Sequence, residues 1–180
     1  PPTEMVFDPK YNLVDFLLSP AQISPLIAAK AEAIAEKVIL AYDMIGLLAI
    51  ELFLTKDGEI LVNEVAPRPH NSGHQSIEGN YTSQFQQHLR SILNLPLGNP
   101  SVRTLSAMVN VIGAEGYKGN AHYEGVENLF DIEGAYLHLY GKKLTKPGRK
   151  MGHITILDSD LKSLRNKIDE VKRSMIVKTL

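Results

Sequence analysis

The stretch Ala49-Ile50-Glu51-Leu52-Phe53-Leu54-Thr55-Lys56-Asp57-Gly58-Glu59-Ile60-Leu61-Val62-Asn63-Glu64-Val65-Ala66-Pro67-Arg68-Pro69-His70-Asn71-Ser72-Gly73-His74 decides how this chain is read. Its first apolar run reads as a buried strand and its second as the partner strand, joined through Asp57-Gly58, a dipeptide that favours a tight hairpin turn. A two-residue turn there pairs 56 with 59, 54 with 61, and Glu51 with Glu64. Carboxylates opposed across an antiparallel pair have Cβ atoms about 5 Å apart and repel each other. A raised pKa on one acid, an intervening Lys or Arg, or a bridging divalent cation would each relieve the conflict. Mg2+ suits the pair best, since it takes one or two protein carboxylates and completes its octahedron with water and phosphate oxygens. A different register would instead leave the acids apart on a solvated hairpin. In a regular strand Asn63 points away from Glu64, so only its backbone or a local bulge brings it to the same place.

The loop after the second strand carries the next signal. Pro67 and Pro69 fix φ on either side of Arg68 and remove two backbone donors, so the segment is stiff and cannot extend the sheet. Arg68 then presents a planar fork suited to phosphate or carboxylate, and Asn71-Ser72-Gly73 adds amide, hydroxyl and bare backbone donors. A plain Pro/Gly-rich surface connection has similar composition. His70 and His74 have the i,i+4 spacing of a helical zinc pair, but Pro69 and Gly73 oppose a helix and no Glu lies between them. One histidine is expected to hydrogen-bond substrate and the other to pack or to orient the loop.

Around this centre the chain reads as strand over residues 1–7, a partly extended connection over 8–20, and a helix over 24–42 with Ser24 as N-cap and Pro25 at its first position. Leu26, Ala29, Ala33 and Leu40 are among that helix's apolar positions, which predicts packing on a sheet. A second helix is expected over 82–93, and Pro96-Leu97-Gly98-Asn99-Pro100 marks the likeliest internal boundary. Beyond it, 106–112, 135–140 and 151–156 read as strands, with a short helix over 124–130 and a last one over 160–175 capped from Asp158-Ser159-Asp160. Lys142, Lys143, Lys146, Arg149 and Lys150 crowd one connection between strands, a pattern that by composition alone suits a solvated loop.

Composition excludes several classes. A formal charge of −1 over 180 residues gives no whole-surface attraction to nucleic acid, and no aromatics interleave the basic run. Cysteine is absent, so there is neither a disulfide framework nor a thiolate metal site. No apolar run approaches the roughly 18 residues of a membrane span, and with no signal peptide at the start a cytoplasmic setting is expected.

Glu51, Asn63-Glu64 and the run Val65-Ala66-Pro67-Arg68-Pro69-His70-Asn71-Ser72-Gly73-His74 resemble the metal-binding strands and substrate loop of the ATP-grasp ligases, and within them the carboxyaminoimidazole ribonucleotide synthetases. Thr82-Ser83-Gln84-Phe85 with His88-Leu89-Arg90, then Leu95-Pro96-Leu97-Gly98, and finally Lys146-Pro147-Gly148-Arg149-Lys150-Met151-Gly152-His153 extend that resemblance over nearly the whole chain. It implies an α+β fold: the C-terminal part of an ATP-grasp domain, an antiparallel sheet with packed helices, over 1–99, and a small β-rich lobe over 100–180. It also implies that Glu51 and Glu64 hold Mg2+ (or Mn2+) and that Asn63 and Glu64 meet ATP. Arg68, His70 and Ser72 would be catalytic and, with Asn71, would bind the ribonucleotide. Lys142, Arg149 and Lys150 would bind phosphate groups.

The reaction implied joins ATP, bicarbonate and 5-aminoimidazole ribonucleotide in purine synthesis, in a homodimer that passes its product to a mutase. The chain starts at Pro1-Pro2, and the resemblance implies that the N-terminal domain and the ATP-gripping lid lie outside these 180 residues, so that the fragment alone does not turn over. Two other readings share some of the features. A formate-dependent glycinamide ribonucleotide transformylase would keep the acids and activate a different small molecule, and a non-enzymatic module could use the basic run to dock an anionic partner.

Overall fold

The computed structural model describes residues 1–8 and 13–180. The middle of the expected 8–20 connection therefore lies outside the described residues, but its second half is a strand. The chain divides into two units, Pro1–Glu4 with Ser19–Arg103, and Met5–Leu18 with Thr104–Leu180. The expected division at 99/100 differs from this at the N-terminus. Strand β2 (Leu13–Ser19) hydrogen-bonds between β1 (Glu4–Asp8) and β5 (Leu105–Ile112), which draws residues 5–18 into the second unit.

In the first unit, α1 (Pro25–Ala41) begins as expected: the Ser24 side chain accepts from the Ile27 amide at 3.3 Å and Pro25 occupies the first turn. Its expected apolar contacts are only partly realised, since Ala31 is its one buried residue while Leu26 and Leu40 are exposed. Strands β3 (Ala49–Leu54) and β4 (Ile60–Ala66) form a two-stranded antiparallel sheet. The reading of the first as a buried strand is corrected here: Phe53, Leu54, Leu61 and Val62 are all about half exposed. A two-stranded ribbon can cover at most one of its faces.

A 3-10 turn (Asn71–Gly73), the short α2 (Ser76–Gly79) and α3 (Gln84–Ile92) follow. A capping box starts α3, with Ser83 Oγ accepting from the Gln86 amide and Gln86 Oε1 accepting from the Ser83 amide. One turn on, Gln87 accepts from the Gly98 amide at 2.8 Å and donates to the Gly98 carbonyl at 2.7 Å, which ties the 94–100 segment back to the helix.

The second unit carries a five-stranded sheet in the order β1-β2-β5-β9-β7, where β7 is Ala135–Leu139 and β9 is Lys150–Asp158. Ala107, Val109 and Val111 of β5 alternate onto one face beside Ile154 and Ile156 of β9. Leu164, Ile168 and Val171 of α4 (Leu161–Ser174) recur at helical spacing and complete that core, all within 1 % of full burial. Lys172 of α4 reaches Asp15 of β2 at 2.6 Å and lies over the Phe16 ring. Three further strands, β6 (Gly119–Glu124), β8 (Leu144–Thr145) and β10 (Ile176–Thr179), form a second sheet in the order β10-β6-β8. The basic connection is thus not a free loop, because β8 lies within it and pairs with β6. The short helix expected over 124–130 is a 3-10 helix, Val126–Asp131. Among the described residues no helix is long and apolar enough to cross a membrane.

Candidate functional site

Two irregularities bring Glu51 opposite Glu64. The hairpin connection is longer than a two-residue turn: Thr55 N–H donates to Glu59 O at 2.9 Å, the Glu59 amide donates to Thr55 Oγ1 at 3.0 Å, and Gly58 adopts φ +80°. Leu54 therefore pairs with Ile60, one residue off the expected register. A bulge between Glu51 and Leu52 then leaves Asn63 without a partner and restores Glu51↔Glu64. It also brings the Asn63 amide within reach of Glu51, Nδ2 to Oε2 at 3.4 Å. A carboxylate pair in register with one carboxamide beside it is a donor set of the hard-oxygen type that a small divalent cation takes. Among the described residues no group of three or more His, Cys, Asp or Glu is gathered, so such an ion would draw its remaining ligands from water or from a ligand's oxygens.

The loop closes on this hairpin through His70. Its Nε2 lies 3.7 Å from Glu51 Oε1, and its Nδ1 is 2.9 Å from Ser72 Oγ and accepts from the Ser72 amide at 3.4 Å. A ring nitrogen that accepts from a backbone N–H is unprotonated, so the His70 proton sits on Nε2, toward the acid. Arg68 is exposed and bends back to donate to the Pro69 carbonyl at 3.1 Å. Glu51, Asn63, His70 and Ser72 are thus one connected group, with Glu64 across the ladder and Asn71 opening the 3-10 turn.

Sequence reasoning passed over Gln84 as a site residue. Its Oε1 accepts from the His70 amide at 2.9 Å, and its Nε2 donates to the His70 carbonyl at 2.8 Å and to His74 Nδ1 at 2.9 Å. A Cβ on Gly73 would stand 2.6 Å from Gln84 Oε1, so the glycine permits the close approach. A glutamine behind a serine N-cap carries no local sign of this, because its partners lie 10 to 14 residues upstream.

In the second unit, Lys142, Arg149 and Lys150 share one corner. Lys142 Nζ donates to the Lys150 carbonyl at 2.6 Å and lies 5.5 Å from the centre of the Tyr140 ring. The Tyr140 hydroxyl meets His153 Nδ1 at 3.0 Å, His153 stacks on His138 with ring centres 4.5 Å apart, and burial pushes the Tyr140 pKa up. Gly113 braces the turn, donating to Arg149 O and accepting from the Gly148 amide, both at 2.9 Å. Any Cβ at Gly113 would overlap the Lys146 carbonyl and the Thr145 hydroxyl. Lys143 has its carbonyl bonded to the Ala121 amide.

Residues 8–85 match the ATP-grasp domain and residues 106–167 match the phosphoribosylaminoimidazole carboxylase C-terminal domain, between them more than half of the chain. A chloroplastic phosphoribosylaminoimidazole carboxylase from Vigna aconitifolia is 44% identical over 160 residues, 87% of this chain and 29% of the relative. The N5-carboxyaminoimidazole ribonucleotide synthase of Bacillus subtilis is 42% identical over 160 residues, 87% of this chain and 40% of the relative. The crystal structure of N5-carboxyaminoimidazole ribonucleotide synthetase from Thermotoga maritima is similar with a TM-score of 0.89 and 47% identity, over 92% of this chain and 46% of that one. The enzyme from Aspergillus clavatus, solved with ADP and 5-aminoimidazole ribonucleotide, gives 0.83 and 36%, over 95% of this chain and 47% of that one. The chain spans less than half the length of each of these relatives.

Proposed function

Because this chain belongs to the ATP-grasp family, in the branch of the N5-carboxyaminoimidazole ribonucleotide synthases, we propose that it supplies the metal acids and the substrate loop of an ATP-dependent carbon-nitrogen ligase. In this reading the full-length protein carboxylates 5-aminoimidazole ribonucleotide with bicarbonate in purine synthesis. A bicarbonate oxygen takes the γ-phosphoryl group of ATP and ADP leaves. The exocyclic amine of the ribonucleotide then attacks the carboxyl carbon of carboxyphosphate, and inorganic phosphate departs. The protein acts as a cytoplasmic homodimer and passes its product to a mutase.

The observation that carries the reading is the Glu51↔Glu64 pair with His70 set against Glu51. Glu51 and Glu64 would hold Mg2+ or Mn2+, with Asn63 and Glu64 meeting the ATP phosphates; the ion supplies charge neutralisation on the transferred phosphoryl group. Arg68 offers its fork to an anionic group of the ribonucleotide or of carboxyphosphate. His70, carrying its proton on Nε2, orients Ser72 through Nδ1, and Ser72 with Asn71 hydrogen-bonds the ribonucleotide. Lys142, Arg149 and Lys150 bind phosphate. Such chemistry asks the side chains mainly for positioning and charge, which accords with a chain that lacks cysteine.

The test is phosphate release by the full-length protein with ATP and Mg2+. Release that requires both the ribonucleotide and bicarbonate is expected. Release that requires formate instead would overturn the reading.

A further inference from the structure

His74 belongs to the loop, yet the mechanism above gives it no task, and its partner Gln84 is nine-tenths buried. The hydrogen bonds around Gln84 fix the chemistry of both. Gln84 is held at its backbone, where its amide donates to Ser76 Oγ at 2.9 Å and that hydroxyl donates onward to the Gly73 carbonyl at 2.5 Å. Its side chain faces the backbone of His70, whose roles admit no choice, since the His70 amide can only donate and the His70 carbonyl can only accept. Oxygen Oε1 must therefore lie at the amide and Nε2 at the carbonyl. The second hydrogen of that Nε2 points to His74 Nδ1 at 2.9 Å. A ring nitrogen that faces a donor is the unprotonated one, so the His74 proton must be on Nε2. The ring is further held by stacking on Phe85, the next residue of α3, with centres 5.6 Å apart.

The geometry points to Gln84 as a positioning residue of the loop that holds the His70 backbone in place and keeps His74 Nδ1 unprotonated, with the ring proton on Nε2. Glutamate at 84 would fill the same space and still accept from the His70 amide. As a carboxylate, however, it would set an acceptor against the His70 carbonyl and against His74 Nδ1. His74 would then have to place a proton on Nδ1, the reverse of its native state. Packing alone does not predict a reversal.

The restriction is testable on this chain without any activity, by long-range nitrogen–proton correlation spectra of histidine-labelled protein. The native chain should show His74 with an unprotonated Nδ1 and a protonated Nε2. Gln84→Glu should move the proton onto Nδ1, alone or with Nε2 also protonated. Gln84→Met, which fills the space without hydrogen bonds, should no longer hold the native pattern. An averaged or Nδ1-protonated pattern in the native chain overturns the inference even if no variant folds, and so does a Gln84→Glu spectrum like the native one. Its consequence for catalysis rests on the proposed function. In the full-length enzyme Gln84→Glu should raise the ribonucleotide KM about tenfold or more, with the ATP KM little changed. A fixed native tautomer combined with an unaltered ribonucleotide KM would leave the positioning of the loop standing and overturn its assignment as the substrate loop.

Discussion

At the scale of single residues, the loop and its surroundings separate charge from geometry. Arg68 is exposed and the one bond described for its side chain is to a neighbouring carbonyl, so its fork can turn to a ligand without breaking a core contact. Arg68→Lys retains the charge and loses the planar pair of donors. In the full-length enzyme it should raise the KM for the ribonucleotide more than that for ATP, as steady-state kinetics would read. Equal changes, or none, would make Arg68 a brace for the loop. Asp158 gives a stability prediction of a different kind. The Lys167 ammonium at 2.8 Å, then the Asp160 amide and the Ser163 hydroxyl, hold its carboxyl well below the usual carboxylate range. A carboxyl depressed in the folded state stabilises at pH values above its unfolded pKa, and that contribution drains away as pH falls toward the folded value. Asp158→Asn should therefore lower the unfolding midpoint at neutral pH, and the gap to the native chain should begin to narrow once the pH drops below about 4 and go on narrowing as it falls further.

At the scale of elements, the hairpin explains what was legible in the sequence and what was not. The pairing of Glu51 with Glu64 followed from alternation and the Asp57-Gly58 signal, but the structure reaches it by a different path. The longer connection shifts the first pairs by one, and the bulge at Asn63 shifts them back. Turn length and bulge position depend on how backbone donors are satisfied across the ladder, which residue types alone do not encode. Removal of Asn63 should give a regular ladder that keeps Glu64 opposite Glu51 but takes away the carboxamide beside them, and should weaken any coupling between Mg2+ and nucleotide binding, as titration would show; unchanged coupling would mean that Asn63 is incidental. Helix α4 was legible from Asp160 onward because cap and periodicity agree. Strands β6 and β10 were not read as strands. Gly119-Asn120-Ala121-His122-Tyr123-Glu124 lacks β-branched residues, and Ile176–Thr179 becomes a strand only through its distant partner. Gly113 was equally silent, although its two bonds fix the turn that carries Arg149. Gly113→Ala should displace that turn and raise the ribonucleotide KM while the first unit stays folded.

At the scale of the whole molecule, the chain carries two sets of proposed ligand-binding groups, the acid hairpin with its loop in one unit and the basic corner in the other. This chain spans less than half the length of these relatives, and under the proposed function the remaining contacts with ATP fall in the rest of that length. The apolar side chains left half exposed on β3 and β4 agree with a hairpin that belongs to a larger sheet, since a two-stranded ribbon is rarely stable alone. The fold class and family were readable because the motifs are local strings. The grouping of residues 5–18 with the C-terminal unit was not, because it depends on which strand β2 finds. The central claim is that Glu51 and Glu64 together hold the cation on which phosphoryl transfer depends. The most direct measurement is the rate of ribonucleotide-dependent phosphate release by full-length enzyme carrying Glu64→Gln, which preserves shape and hydrogen bonding while removing the charge. A fall of about a hundredfold or more, at saturating ribonucleotide, is the predicted result. A near-native rate would contradict it.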